Sequence, residues 1–203
     1  MSKVRRRQPS RSDAQLDESF FSRPAEIVAR NLIGTILVRQ LRTRQLRGRI
    51  VETEAYVGPH DLACHAAKGR TRRTEVMFGP PGRAYVYFIY GMYEMLNIVT
   101  GGEGDAQAVL VRAADPLDGW EENLSGPGRL ARGFGIKLSE NALDLTTSKK
   151  LFVTPDPKSR PPRIVRTPRV GVDYAKHWKD ELLRFVDADS AAVSKPRPPR
   201  QST

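Results

Sequence analysis

The sequence predicts an α+β fold, a single compact domain with a mainly antiparallel β-sheet and peripheral helices. Several segments alternate apolar and polar residues with the period of two that is typical of strands. One segment near the N-terminus has the apolar spacing of an amphipathic helix. Strands and helices do not alternate regularly, as they do in the βαβ units of a parallel sheet, so antiparallel pairing is favoured.

The first regular element predicted is a helix from Pro24 to Gly34. Proline is favoured in the first turn of a helix, and glycine is favoured just beyond the last turn. Four apolar residues between them follow the spacing i, i+3, i+4, i+7 and predict one buried face: Ala25, Val28, Ala29 and Leu32.

Five strands are predicted after this helix. They are Thr35–Leu41, Leu46–Tyr56, Arg83–Ile89, Leu96–Thr100 and Ala108–Ala113. The second and third are separated by the long segment Val57–Gly82, which carries an arginine cluster at Arg70–Arg73. Loops of this length without regular structure are usually functional or mobile.

The C-terminal part of the chain has weaker patterns. Leu117–Ile136 predicts short helices broken at Gly126-Pro127-Gly128, and Pro155–Pro168 predicts an extended crossing. Arg169–Val172 is a candidate last strand, and Ala175–Arg184 a short turn or helix.

The basic composition favours a phosphate-rich or membrane partner, although a charge that only keeps the protein soluble would give the same excess. The chain has 203 residues, of which 34 are Lys or Arg and 23 are Asp or Glu, giving a formal charge of +11. No apolar run approaches the roughly 18 residues that a transmembrane helix needs, and the Arg-rich start has no secretory signal pattern. The single cysteine, Cys64, excludes an intramolecular disulfide and suits a reducing compartment. We therefore expect a cytoplasmic protein, associated with the nucleoid if bacterial.

Composition also predicts the boundaries of the folded domain. Residues 1–17 predict a disordered basic arm, and residues 191–203, rich in Pro and Arg, predict a disordered tail. The folded domain is expected over residues 18–190.

The candidate chemistry lies in two strands. In Gly48–Tyr56 the alternation predicts a half-buried strand, with Glu52, Glu54 and Tyr56 on one face and Val51, Thr53 and Ala55 on the other. In YVYFIYGMY, Tyr85 and Tyr87 share a face, and Tyr90 precedes Gly91 at an expected turn. A carboxylate on a solvated strand face, or tyrosines that only pack, would produce the same pattern.

Other chemistries have weaker support. Cys64 and His65 are sequence neighbours, which is poor geometry for a thiolate–imidazole pair, and no P-loop or GxSxG motif occurs. His60, Cys64 and His65 have a spacing that could bind a metal, but no fourth ligand with motif spacing follows.

Glu54 beside aromatic rings favours attack of water on a sugar. A carboxylate can activate water for attack at an anomeric carbon, with a base held between aromatic faces as the leaving group. A base inside a duplex must first be flipped out, and a side chain at a strand tip, such as Tyr90, can fill the gap. Arg112 could hold a nearby phosphate.

Several runs of residues resemble one known family, the alkyladenine (3-methyladenine) DNA glycosylases. The runs are FFSRPAEIVARNLIGTILVR, GRIVETEAYVGPHDLACHA, MFGPPGRAYVYFIYGMYEMLNIV, VLVRAADPL, GPGRL and RVGV, and they extend from Phe20 to Val172. The resemblance implies a curved antiparallel sheet, and it implies a monofunctional hydrolase without metal or other cofactor. It also implies base excision repair of damaged purines in double-stranded DNA, of the 3-methyladenine, 7-methylguanine and hypoxanthine type, by a monomer.

The resemblance also implies a role for each matching residue. Glu54 matches the acid that activates water, and Arg112 matches an arginine that steadies the water and a phosphate. Asn97 matches the asparagine that disfavours the amino group of guanine, and Tyr90 the intercalating residue. The aromatic residues that sandwich the flipped base are matched by three positions: Tyr56, His65 and Tyr87.

Two alternatives remain open from the residues. A nucleic-acid-binding module without catalysis could keep the same sheet. A carbohydrate glycosidase would usually need two paired carboxylates, for which Glu52 is the nearby partner of Glu54.

Overall fold

An antiparallel sheet of eight strands organises the chain, which a computed structural model describes over residues 15–89, 91–157 and 160–198. Six strands pair in the order β3-β4-β5-β2-β1-β6, while β8 pairs with both β2 and β7, and the sheet curls on itself. The α+β prediction is therefore confirmed. The strands are β1 (Ile36–Gln40), β2 (Gln45–Tyr56), β3 (Ala84–Ile89), β4 (Tyr93–Thr100), β5 (Gln107–Pro116), β6 (Leu151–Thr154), β7 (Ile164–Thr167) and β8 (Arg184–Asp187).

The helices are short and lie around this sheet. Those of α type are α1 (Glu18–Phe21), α2 (Ala25–Leu32) and α3 (Pro127–Gly133). Single 3₁₀ turns occur at His65–Lys68, Glu75–Phe78, Leu138–Glu140 and Lys176–Lys179. Among the helices that the structure describes, none has the length and apolarity to cross a bilayer.

Helix α2 packs its predicted apolar face on the sheet. All four residues of that face are buried and join the main hydrophobic core. The hydroxyl of Thr53 in β2 donates to the carbonyl of Ala29 at 2.8 Å, which ties the helix to the strand. The helix period predicted from the sequence is confirmed.

Strand β2 departs from the expected half-buried strand, because both of its faces are covered from Gly48 to Ala55. Its pairing with β5 shifts register on either side of Glu52. As a result, Val51 has no register partner on β5, and Arg112 has none on β2. Such bulges redirect side chains. Val51 therefore packs with Val186 and Val193, whereas Ile50 and Ala55 join the main core. The regular alternation predicted for Val51 is wrong.

Three strands of the C-terminal half were missed. β6, β7 and β8 have only four residues each, too few to show a period. β7 lies inside the predicted extended crossing, and β8 begins where a turn or helix was predicted. Arg169–Val172 is a loop rather than a strand. The sequence Gly126-Pro127-Gly128 begins α3 instead of breaking a helix, since proline suits the first turn.

The packed chain extends beyond both predicted boundaries. At the N-terminal side, the Leu16 amide donates to the Val153 carbonyl at 2.8 Å. At the C-terminal side, Val193 and Ser194 are buried, so the disorder expected from residue 191 does not hold for residues 191–198. Most of the two predicted tails, residues 1–14 and 199–203, lies outside the described residues.

Candidate active site

Glu54 lies near the C-terminal end of β2 and is completely buried. Its Oε1 accepts a hydrogen bond from the Val170 amide at 2.8 Å and lies 3.3 Å from Nη1 of Arg112. Its Oε2 accepts a hydrogen bond from the Tyr56 hydroxyl at 3.0 Å. Three separate elements thus orient one carboxylate, as a general base requires.

Glu52, two residues earlier, is surrounded by donors. Its Oε1 accepts from Arg112 Nε at 2.6 Å, from Arg184 Nε at 2.8 Å and from Ser194 Oγ at 2.8 Å. Its Oε2 accepts from the Ser194 amide at 2.6 Å. Burial raises the pKa of Glu52, but Arg112, Arg184 and the Ser194 amide lower it by more. The pKa of this carboxyl group therefore lies below its ordinary value. This carboxylate is an ionised structural group.

Arg112 joins the two carboxylates. It is the residue of β5 that has no partner on β2 at the register shift, and it is only 6% exposed. Burial lowers the pKa of Arg112, whereas Glu54 and Glu52 raise it by more, so the guanidinium stays charged. Its three nitrogens already face Glu52, Glu54 and Ser194. This arrangement favours a role in orienting Glu54 over one in holding a phosphate.

A cavity of about 270 Å³ lies next to Glu54. Tyr56 and Arg112, which both contact Glu54, form part of its wall. The predicted base-binding residues also line it, and the sheet therefore brings them together: Tyr56, His65, Tyr87 and Asn97.

One side of the cavity is an aromatic cluster. The rings of His65 and Tyr87 lie 4.6 Å apart, and Nδ1 of His65 is 2.9 Å from the Tyr85 hydroxyl. Burial, with the positive charges of Arg73 and Lys68, lowers the pKa of His65 to about 4. The imidazole is therefore neutral at pH 7 and is not a proton donor of general-acid type there.

The ring of Tyr56 is held by a buried ion pair that the sequence analysis missed. Arg169 lies over this ring at 4.8 Å and pairs with Asp61. Burial and then Glu54 raise the pKa of Tyr56, so its hydroxyl remains a donor to Glu54. Arg169 also precedes Val170, whose amide reaches Glu54. Both belong to the run RVGV, which was the available signal.

Asn97 lies on β4 and faces the cavity from the sheet. Its Nδ2 donates to the Tyr85 carbonyl at 3.2 Å, and the side chain is buried. The amide is therefore fixed in orientation against whatever occupies the cavity.

Tyr90 lies outside the described residues, so its predicted position stays a prediction. The two strands that flank it in the sequence, β3 and β4, pair antiparallel up to Ile89 and Tyr93, and Gly91 has a φ of 67°. Met92 beside it is 65% exposed, which places an apolar tip in solvent.

The three residues considered for a metal are differently engaged. His60 packs against the Trp178 ring at 5.5 Å, whereas His65 contacts Tyr85 and Tyr87. Burial raises the pKa of Cys64 to about 11, which disfavours a thiolate. Across the described ranges, no group of three acidic, His or Cys side chains could hold a metal ion.

A larger groove of about 790 Å³ shares Met95, Arg112 and Pro127 with the cavity. In the wall of this groove, Gly128 lets α3 pack closely on Tyr93 of β4, because a Cβ at residue 128 would lie 2.8 Å from the Tyr93 ring. Three further basic side chains line the groove: Arg129, Lys195 and Arg197.

The site combines an oriented carboxylate, an aromatic cavity and a basic groove. This is the arrangement expected of a hydrolase that acts on the bases of a polyanion. Residues 19–191 match the model of the family described as methylpurine-DNA glycosylase (MPG). The chain belongs to this family and is an enzyme that hydrolyses N-glycosidic bonds of DNA in base excision repair.

Similar proteins cover nearly the whole chain. A protein of Myxococcus xanthus (strain DK1622) named "Putative 3-methyladenine DNA glycosylase" is 50% identical over 186 residues, covering 91% of this chain and 95% of the relative. A protein of the same name from Legionella pneumophila (strain Corby) is 46% identical over 182 residues, covering 89% and 98%. Another from Methanocella arvoryzae is 46% identical over 196 residues, covering 90% and 97%.

Proposed function

We propose that this glycosylase removes alkylated purines, of the 3-methyladenine and 7-methylguanine type, and also the deaminated base hypoxanthine, from double-stranded DNA. The observation that carries the proposal is the buried carboxylate of Glu54, which two hydrogen bonds and the Arg112 guanidinium orient next to an aromatic cavity. The printed names of the relatives, which refer to 3-methyladenine, agree with this substrate class.

Glu54 is the general base in this proposal. A water molecule forms the new bond between its oxygen and C1′ of the sugar, and Glu54 takes its proton. The bond from C1′ to the purine nitrogen breaks, and its electron pair leaves with the base. An alkylated base departs as a neutral molecule, whereas hypoxanthine departs as an anion and takes up a proton from water. The products are a free base and an uncut abasic site.

Charge explains the preference for alkylated bases. A purine methylated on a ring nitrogen while still bonded to the sugar carries a positive charge, so it departs as a neutral base without an added proton. The neutral His65 and the rings of Tyr56 and Tyr87 suit such a cation, because aromatic faces attract positive charge. The negative charge of Glu54 lies just behind the cavity wall, in contact with Tyr56 and Arg112.

The target base must leave the duplex to reach the cavity. We propose that it is flipped between Tyr56 on one side and His65 with Tyr87 on the other, and that Tyr90, which lies between β3 and β4 in the sequence, fills the vacated stack. Asn97 then discriminates against the exocyclic amine of guanine. The strand itself follows the basic groove beside Arg129, where phosphates find positive charge. A single chain contains all these parts, so we propose that it acts as a monomer.

The carbohydrate glycosidase alternative is disfavoured by Glu52. Such enzymes use a second carboxyl group as acid or nucleophile. All the oxygens of Glu52 are engaged by Arg112, Arg184 and Ser194, so it cannot approach a substrate.

A panel of duplexes that each carry one lesion tests the proposal. We expect release of free 3-methyladenine, 7-methylguanine and hypoxanthine in single-turnover reactions, in the presence of EDTA, with the strand left intact. Release only of a base outside this set, or trapping of a protein–DNA adduct by borohydride, would contradict it.

Replacement of Tyr90, the proposed intercalating residue, provides a second test. Tyr90→Ala should weaken lesion binding and base release together, since unstacking is no longer compensated. Melting temperature should change little. A large loss of stability with lesion affinity retained in the folded fraction would show that Tyr90 is a core residue instead.

A further inference from the structure

Ser194 occupies an unusual position for a residue so close to the C-terminus. It lies three residues beyond the segment that matches the family, residues 19–191, and its side chain and backbone are both buried against the active site. Its amide donates to Glu52 Oε2 at 2.6 Å, and its hydroxyl lies 2.8 Å from Glu52 Oε1. One residue therefore contacts both oxygens of the same carboxylate.

The same hydroxyl also contacts the arginine beside Glu54. Ser194 Oγ lies 3.2 Å from Nη2 of Arg112, while Nε of Arg112 donates to Glu52 at 2.6 Å. Ser194, Glu52 and Arg112 thus form a closed triangle of hydrogen bonds. Nη1, the remaining nitrogen of the guanidinium, is left to face Glu54.

This triangle matters because Arg112 lies at the register shift between β5 and β2, where its carbonyl accepts from the Gly126 amide at 3.1 Å instead of pairing with β2. Arg112 is the residue of β5 that the bulge leaves without a partner on β2. Its side chain is held by hydrogen bonds to Glu52 and Ser194. The guanidinium is planar, so fixing Nε and Nη2 determines where Nη1 lies.

We propose that Ser194 is a positioning residue for the glycosylase reaction, which holds Arg112 against Glu54 through the triangle with Glu52. The inference rests on the proposed role of Glu54. Ser194 does not touch the reacting atoms. It acts by keeping Nη1 of Arg112 on Oε1, which orients the carboxylate toward its water.

The test compares Ser194→Ala with a matched control, Ser190→Ala. Ser190 lies on the same C-terminal segment, and its hydroxyl donates to Asp115 at 2.7 Å, away from the triangle. Each variant loses one partly or fully buried hydroxyl. The measurements are the single-turnover rate of base release, the dissociation constant for a lesion duplex, and the melting temperature.

We expect Ser194→Ala to slow base release by roughly 10- to 100-fold, because small misplacements of catalytic groups have effects of this size. Its lesion affinity should stay within about twofold of wild type. Ser190→Ala should keep the wild-type rate, and Ser194→Thr, which retains the hydroxyl, should restore most of it. Unchanged release by the folded Ser194→Ala protein would overturn the proposal.

A double-variant cycle separates positioning from simple stabilisation. In an Arg112→Lys background, Ser194→Ala should have little additional effect on the rate, because both act through one group. Full additivity would contradict the proposed route. Ser194→Cys, which keeps the volume but only a weak donor, is the second variant if alanine prevents folding. If neither folds, Ser194 is structural and the inference fails.

Glu54→Gln distinguishes this inference from the proposed function. If Glu54→Gln still releases bases at the wild-type rate, the proposed function itself fails. If Glu54→Gln is inactive but Ser194→Ala is normal, only the positioning role is wrong.

Discussion

Glu52 and Glu54 are the same residue type on the same face of one strand, yet their surroundings differ. Glu52 accepts four hydrogen bonds on the side of the groove and C-terminal segment. Glu54 accepts bonds from Val170 and Tyr56 and lies beside the aromatic cavity. The comparison shows that partners brought by distant segments, rather than residue identity, distinguish the two carboxylates: those of Glu52 enclose it, whereas Glu54, the proposed general base, stays next to the cavity.

The same contrast is expected between the two regions that surround these carboxylates, the cavity beside Glu54 and the groove and C-terminal segment beside Glu52. Substitutions on the cavity side should alter catalysis or specificity with little loss of stability. Substitutions on the groove side should alter stability or DNA affinity with the chemistry retained in the folded protein, except where they act through Arg112.

The largest effect is expected from Glu54→Gln. The amide keeps the shape of the carboxylate but cannot accept the proton of water, so base release should fall about 10²- to 10⁴-fold. Lesion affinity should be retained. Single-turnover release and a binding titration on the same duplex measure the two quantities, and near-normal release would remove the distinction between the carboxylates.

Glu52→Gln should instead destabilise the fold. The change leaves Arg112 and Arg184 buried with less compensating charge, which typically costs about 3–5 kcal/mol. Denaturant unfolding measures this loss. A variant of normal stability with abolished release would assign Glu52 to the chemistry.

Acid should reveal the same carboxylate in the wild-type protein. The pKa of Glu52 is lowered in the folded state from its ordinary value of 4.5. Its contribution to stability is therefore present above the unfolded-state pKa and is lost as pH falls through the folded-state pKa. As pH is lowered from 5 to below the folded-state pKa of Glu52, the melting temperature of wild type should fall more than that of Glu52→Gln. Parallel plots of melting temperature against pH for the two proteins would argue against this linkage.

On the cavity side, Asn97→Ser should relax specificity. The shorter side chain removes the fixed amide from the cavity wall, so release of undamaged guanine relative to hypoxanthine should rise by roughly 10-fold. Stability serves as the control measurement. If the ratio stays constant, Asn97 only supports the pairing of β3 and β4.

The smallest effect is expected from Arg129→Ala on the groove side. Loss of one phosphate contact should reduce the log–log salt slope of DNA binding by about 0.9 and leave base release at saturating enzyme unchanged. Arg42→Ala is the matched control, because Arg42 is exposed in the turn between β1 and β2, which precedes the end of β2 opposite Glu54. Equal slopes for the two variants would exclude the groove as the path of the strand.

The N-terminal half of the molecule could be predicted because its signals are local. The apolar spacing of α2 and the alternation in β2 through β5 occur within single elements, and they place Glu54 and Tyr56 on one face. The family was also evident from motifs quoted in the sequence, and residues 19–191 match it. The catalytic roles of those residues stay predictions.

What the sequence determined by itself was the set of chemical groups and the face of β2 that carries them. The tertiary structure decided how they are used. The bulge at Arg112, the four-residue strand β8 and the packing of Ser194 against Glu52 all depend on contacts between residues more than 50 positions apart. Such contacts leave no period in a short segment, since their energy arises only when the chain has closed around the two carboxylates.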